Sequence, residues 1–447
     1  MVGARQLSAG GGLCIYGAVY LYGMSRLSRK EFLKRSLLAS ASLPLVPLLA
    51  TGADVPLPMP TEEDATTDEA FWAQVRSRFL LDERIVNLNN GSVGPQSVAV
   101  QEAHIEMYRL SNRSPAHYVW REVNDKREPL REELAKLMDC ETEELAINRN
   151  TTEGLSTIIF GMDLKKGDEV VVSNFDYPFM LNAWRQRQMR DGIVLKEVRL
   201  PLPIEDVALA VELFRAAITP RTKVVHLTHV INWTGQIMPV KAITKMAKEM
   251  GCEVVVDAAH SLAHIPLSFK DIGCDYLATS LHKWLGAPFG TGAMIIRKEK
   301  KEKLWPLFAP YEPQGDDIKK FEFLGTRSIP AEMAALDAIG FHRELGPEKV
   351  HQRLHYIKTH WAEKVMDLEN VHFHTSLKQE FSGAIATISI DGLTAGQIMK
   401  ALFDREGFHV GYIQWEGLDG VRVSPHIYTS LEELDRLAAA IRKLASE

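Results

Sequence analysis

At 447 residues, 46% hydrophobic and 25% charged, the chain has ordinary globular composition and room for one large and one smaller domain, which excludes fibrous and disordered classes. The formal net charge of −6 is unevenly spread: residues 1–53 hold six basic side chains and one acid, so the remainder is strongly acidic and a poor partner for nucleic acid. Four cysteines, Cys14, Cys140, Cys252 and Cys274, lie far apart with no CxxC pair, which points to small buried residues and not to a zinc site or a disulfide framework.

The first segment, 1–53, reads as a leader. After Met24, Ser28-Arg29-Lys30-Glu31-Phe32-Leu33-Lys34 precedes an apolar stretch at 37–50 that ends in small residues. This resembles a twin-arginine export signal with Lys30 in place of the second arginine, and it implies a periplasmic protein; a cytoplasmic chain is the alternative. Pro44 and Pro47 break the stretch, which is short for a stable membrane span. Residues 54–70, rich in Pro, Thr, Asp and Glu, read as a linker.

From about residue 140, short β-branched runs alternate with helix-sized amphipathic stretches. Strands are predicted at 145–148, 169–173, 194–198, 223–228, 253–257, 276–280 and 293–297, with helices such as 153–162, 178–190 and 240–250 between them. That alternation argues for an α/β fold, a mainly parallel sheet covered by helices on both faces, within a large domain at 71–310; a smaller α+β domain follows at 311–447. Ligands of such sheets bind beyond the carboxyl ends of the strands, and the informative residues fall there.

The first strand runs through Arg149-Asn150-Thr151-Thr152-Glu153-Gly154 into a helix, where hydroxyls and free N–H groups either cap the helix or hold a phosphate. The second ends in Asn174-Phe175-Asp176-Tyr177-Pro178, offering an aromatic that could stack on a planar ring, and the fourth in His229-Val230-Ile231-Asn232-Trp233-Thr234-Gly235. The fifth ends in Asp257-Ala258-Ala259-His260, and the sixth in Ser280-Leu281-His282-Lys283-Trp284 before a glycine-rich turn. An acid and an amine at successive strand ends suit pyridoxal phosphate (PLP): Lys283 can form a Schiff base with the cofactor aldehyde, and Asp257 can keep the pyridine nitrogen protonated. Each feature alone has a structural reading as a cap, a packed aromatic or a buried acid. Six in order along one sheet edge make a site.

In that order the chain resembles the fold type I PLP enzymes of the aminotransferase class V family, over residues 80–445. The resemblance rests on Val256-Asp257-Ala258-Ala259-His260 and Ser280-Leu281-His282-Lys283-Trp284, supported by Asn150-Thr151-Thr152-Glu153. It implies that Lys283 carries the Schiff base and Asp257 meets the pyridine nitrogen. It also implies that Thr151, Thr152, Ser280 and His282 cradle the phosphate, that Tyr177 stacks on the ring, and that Asn232 and His260 lie near the ring hydroxyl. By the same resemblance Gly325-Thr326 reaches the phosphate of a neighbouring subunit, making a homodimer, and Arg422 clamps the substrate α-carboxylate. Asn87, Asn89-Asn90-Gly91-Ser92 and His117-Tyr118 fall in a region that borders the substrate pocket in such enzymes. Cysteine desulfurases of the family place a nucleophilic cysteine shortly before the arginine, and residues 408–421 contain none. The expected activity is therefore chemistry at the α-carbon of an amino acid: transamination first, then epimerisation like that of isopenicillin N epimerase, then C–S or β-elimination. A non-catalytic PLP-fold module would need neither Lys283 nor Asp257.

Overall fold

Runs such as Val170-Val171-Val172 and Val254-Val255-Val256 are apolar at every position because both faces of their sheet are covered. In the computed structural model, which describes residues 66–123 and 127–447, Val171, Val254 and Val256 enter one apolar core while Val170, Val172 and Val255 enter a second on the opposite face. The leader expected at 1–53 and most of the linker expected at 54–70 lie outside the described residues.

In chain order the strands are β1 (Val86–Asn87), β2 (Leu145–Asn148), β3 (Glu169–Ser173), β4 (Val194–Val198), β5 (Thr222–Thr228), β6 (Glu253–Asp257), β7 (Tyr276–Ser280), β8 (Gly292–Ile296), β9 (Val371–Phe373), β10 (Ala386–Ile390), β11 (Phe408–His409), β12 (Gly411–Trp415) and β13 (Leu418–Val423). The seven predicted strands are the seven of the large sheet, displaced by at most one residue at an end. Their order is β2-β8-β7-β6-β5-β3-β4. The pairs from β7 through to β4 are parallel, whereas β8 is antiparallel to both β7 and β2. Every strand but β8 therefore ends at one edge, and β8 begins there, with Gly292 opposite both Ser280 and Asn148. The chain reverses its direction of sheet growth between β3 and β5, the place where an open α/β sheet leaves a crevice. The predicted helices form at Thr151–Gly161, Pro178–Asp191 and Val240–Glu249.

Beyond β8, the helices Ile329–Leu345 and Pro347–Ala362 precede an antiparallel sheet of order β12-β13-β10-β9. The N-terminal strand β1 pairs in parallel with β11 in this later part of the chain, and the helix Val98–Arg113 packs on Ile329–Leu345. Through this pairing, the backbone of Leu88 and Ser424 meet, and Asn89 and Asn90 are laid beside β13. No helix among the described residues is long and apolar enough to cross a membrane.

Candidate active site

Asp257 ends β6, one strand from the turn after β7 that carries Lys283. It is 3% exposed, and its Oδ1 accepts the Ala259 N–H at 2.9 Å. Burial raises its carboxyl pKa, while the Ala259 amide, His226 and Lys283 pull it down and nearby Asp176 pushes it further up. A cation placed at the other carboxylate oxygen would favour the ionised form.

Lys283 lies within reach of that acid. Burial is the largest influence on its amine; Asp257 opposes the effect and Arg422 adds to it, leaving the pKa at about 8 instead of the ordinary 10.5. Its Nζ is 3.1 Å from His260 Nε2, and His260 Nδ1 is 3.4 Å from the indole Nε1 of Trp284. His260 is buried and held well below the usual histidine range, first by burial and then by Lys283, Arg422 and His264.

An anion cradle forms where the helix Thr151–Gly161 starts. Asn150, not a threonine, caps this helix, its Oδ1 accepting the Glu153 N–H at 2.9 Å. The cap leaves Thr151 to bond Ser280: its N–H donates to Ser280 Oγ at 3.0 Å and the two hydroxyls lie 2.7 Å apart. Thr152 is exposed in the same first turn. His282 directs Nδ1 to the Thr291 carbonyl at 3.2 Å, and since a carbonyl only accepts, Nδ1 carries the proton of that contact; holding a phosphate through Nε2 would need a second proton on the ring. Gly292 lets β8 pass close against the start of this helix: a Cβ there would stand 2.5 Å from Asn148 Oδ1 and 2.6 Å from Asn150 Cα.

Arg422, on β13, is 8% exposed and donates from Nη1 to the Asn232 carbonyl at 2.7 Å and from Nη2 to Asn89 Oδ1 at 2.8 Å. Gly91 and Gly411 close on it, since a Cβ on either would stand 3.2 Å from the guanidinium. Asn232 is thus tied through its backbone, while its buried Oδ1 has no hydrogen-bond partner.

These features fit PLP: a buried carboxylate beside an amine of depressed pKa, hydroxyls and amides at a helix start, and an orphaned amide oxygen on Asn232.

The other expected residues have contacts of their own. Tyr177 precedes the helix Pro178–Asp191 and packs edge-on against Phe179, with ring centroids 5.3 Å apart. Thr326 is exposed in a loop beside β2 and has no hydrogen bond to the Lys283 cluster among the described residues. That loop is anchored by buried ion pairs: Arg327 with Glu332, Arg127 with both Glu332 (2.7 Å) and Glu322 (2.9 Å), and Arg131 with Glu322 (2.5 Å). His117 is exposed and pairs with Glu122 at 3.3 Å, away from the cluster, whereas Asn89 supports Arg422 directly.

Sequence reasoning passed over Asp176, 1% exposed at the β3–β5 crevice. Its Oδ1 accepts from Thr228 Oγ1 at 2.7 Å and its Oδ2 from the Ser173 N–H at 2.7 Å, and burial lifts its pKa to about 6. The signal lay one residue before Tyr177, in a stretch read for its aromatic. His226 was also missed; it lies on β5, two residues before Thr228 on the same strand face, with both ring nitrogens buried and unpartnered.

An α/β sheet with this lysine, acid and anion cradle on one edge defines a PLP-dependent enzyme of fold type I. Residues 88–437 match the family model described as Aminotransferase class-V, and the chain belongs to that family. It is 30% identical to isopenicillin N epimerase of Streptomyces clavuligerus over 395 residues, 85% of this chain and 99% of that protein. It is 27% identical to a probable cysteine desulfurase of Synechocystis over 399 residues, 81% of this chain and 93% of the relative. A solved structure of a C-DES variant with glycine covalently linked to its PLP superposes with a TM-score of 0.74 at 23% identity, covering 81% of this chain and 97% of that one.

Proposed function

We propose that this enzyme epimerises or racemises an amino acid at its α-carbon, with Lys283 moving the proton. PLP, when bound, supplies an aldehyde for the substrate amino group and an electron-accepting ring that acidifies the Cα–H bond. Arg422 binds the α-carboxylate through a planar fork already oriented by Asn232 and Asn89. Lys283 would supply the amine that holds the cofactor and, as a free base, would take the Cα proton to Nζ, while inversion requires a proton returned to the opposite face of Cα. Asp257 would keep the pyridine nitrogen protonated, with Asn232 and His260 toward the ring hydroxyl. Thr151, Thr152, Ser280 and His282 would hold the phosphate, with Tyr177 against the ring. Thr326 would serve the partner's phosphate in a homodimer.

The observation that carries the proton-transfer chemistry is the Lys283 amine, its pKa brought to about 8 beside Asp257, in the same cluster as Arg422. Transamination ranks first on sequence reasoning alone. The 30% identity across almost all of an isopenicillin N epimerase moves epimerisation ahead of it. C–S cleavage is the second reading, favoured by the likeness to a probable cysteine desulfurase.

The reaction is decided by incubating the PLP-loaded enzyme with a panel of L-amino acids in deuterated water. Epimerisation gives Cα deuterium together with the opposite configuration. A 2-oxo acid formed mole for mole with enzyme indicates transamination, and sulfide or pyruvate release indicates lysis. PLP-loaded enzyme that exchanges no Cα proton on any substrate would overturn the assignment of Lys283 as base. Export is proposed on the leader's composition, and a mature N-terminus near Asp54 in a periplasmic extract tests it; an intact chain in the cytoplasm refutes it.

A further inference from the structure

We propose that Trp284 is a positioning residue that fixes His260 as an Nε2–H donor toward Lys283, so that the lysine meets the cofactor aldehyde as a free amine. The inference rests on the PLP reading of the site and adds a residue to it. An indole N–H only donates, so His260 Nδ1, 3.4 Å from Trp284 Nε1, is the acceptor of that contact. A neutral imidazole has one N–H, which must then lie on Nε2, 3.1 Å from Lys283 Nζ. A proton aimed at Nζ is welcomed by the lone pair of an amine and opposed by an ammonium, which offers only protons in return. Without the indole donor, His260 is free to take the other tautomer, accept from an ammonium and favour the charged lysine.

Trp284 is held in the orientation this requires. Its ring stacks against His264, with centroids 4.0 Å apart and planes 15° apart, and against His426 at 5.6 Å and 14°. Both histidines are fixed by main-chain groups. His264 Nε2 accepts the Ala384 N–H at 2.7 Å, so its Nδ1–H donates to the His260 carbonyl at 2.7 Å. His426 Nδ1 accepts the Ile427 N–H at 2.9 Å, so its Nε2–H donates to the Trp284 carbonyl at 3.2 Å. The stack therefore grips the backbone of both residues whose side chains set the tautomer.

The charges around the pair act in the same sense. Lys283 is faced by Asp257 from β6 and Arg422 from β13; His260 is faced by Lys283, Arg422 and His264. Only Asp257 among these favours a proton on the lysine, and among the described residues no acid is set against His260. Burial likewise keeps His264 and His426 neutral, consistent with single-proton tautomers throughout the stack.

The test uses the full-length protein freed of PLP and recombined with it, following the visible absorbance that appears as the Lys283 amine adds to the aldehyde carbon and one water leaves. In the wild type the capture rate should rise with a midpoint near the lysine's pKa of about 8. Trp284→Phe should move the midpoint up by about one pH unit and slow capture near neutral pH by about three- to tenfold. In a His260→Gln background the same Trp284 substitution should change neither. A Trp284→Phe profile that overlays the wild type overturns the proposal, as does an equal slowing in both backgrounds. A wild type that never develops the band, matching Lys283→Ala, would sink the PLP assignment of Lys283 instead. Should the Trp284 variant not fold, ¹⁵N spectra of histidine-labelled wild type decide: a His260 signal protonated on Nε2 supports the lock, and one protonated on Nδ1 refutes it.

Discussion

Replacing Lys283 with Met should stabilise the cofactor-free protein near neutral pH, because the site keeps an amine where the fold disfavours its charge. The amine pKa is about 8 in the folded chain against 10.5 when free. Between those values the unfolded chain binds the proton and the folded chain does not, so stability rises with pH through this window. The penalty is present in full below about pH 8 and disappears as pH climbs past the free value. The gap corresponds to about 3 kcal/mol. Methionine fills nearly the same volume without a charge, and it forfeits the contact with His260, worth about 1 kcal/mol. The net expectation is a gain of about 2 kcal/mol near pH 7 that fades, and reverses slightly, above about pH 10. Urea unfolding of the two cofactor-free proteins, followed by tryptophan fluorescence at several pH values, measures it. A Lys283→Met midpoint at or below the wild type near pH 7, or a difference that does not change with pH, would refute the reasoning that desolvation dominates this lysine.

Three other perturbations probe separate parts of the site. Arg422→Lys removes the planar fork and should raise the substrate KM at least about tenfold while PLP remains bound by its visible absorbance; an unchanged KM would show that the carboxylate binds elsewhere. Gly292→Ala would press a Cβ to 2.5 Å from Asn148 Oδ1, costing about 1–3 kcal/mol of overpacking, and should weaken PLP binding in a cofactor titration. Undiminished PLP affinity would move the cradle away from the start of Thr151–Gly161. Glu332→Gln leaves Arg127 and Arg327 buried without their shared carboxylate and should lower unfolding stability by about 3–5 kcal/mol; a loss below about 1 kcal/mol would mean that water already relieves that network.

The strands of the large sheet were legible because burial on both faces leaves each a continuous β-branched run, and the candidate site residues sit where those runs stop. Asp257 and Lys283 could be placed from that pattern. The reversed direction of β8 could not, since the glycine-rich turn at 286–292 is compatible with either hairpin or crossover and only the pairing of Gly292 with Ser280 and Asn148 decides it. The pairing of β1 with β11 joins residues more than three hundred positions apart, beyond the reach of any local pattern. Asp176 was hidden by its own burial: nothing local distinguishes an acid that accepts from Thr228 across the crevice from a capping residue. Trp284 was visible as a motif letter, but its donor role depends on geometry.

The stretch before Arg422 shows how the same scaffold narrows its chemistry. Where the desulfurase resemblance calls for a thiol on a loop, the chain folds β12 and β13 into a hairpin closed by Glu416 and Gly417, both with positive φ (48° and 86°). Its tip is fastened to the large sheet: Trp415 donates to the Asn174 carbonyl at 2.8 Å and stacks on Trp233 with centroids 4.9 Å apart and planes 6° apart. Trp233 adjoins Asn232, whose carbonyl orients Arg422, so the hairpin and Arg422 form one connected unit. The three described cysteines, Cys140, Cys252 and Cys274, are buried, and burial pushes each thiol up, Cys140 to about 12, which disfavours the thiolate that attack on sulfur needs. With no ionised thiol among the described residues, C–S cleavage under the proposed function would proceed by elimination after proton removal at Cα. On that proposal Lys283 is the group shared by every outcome, and the return path of its proton is the step that separates an epimerase from a lyase.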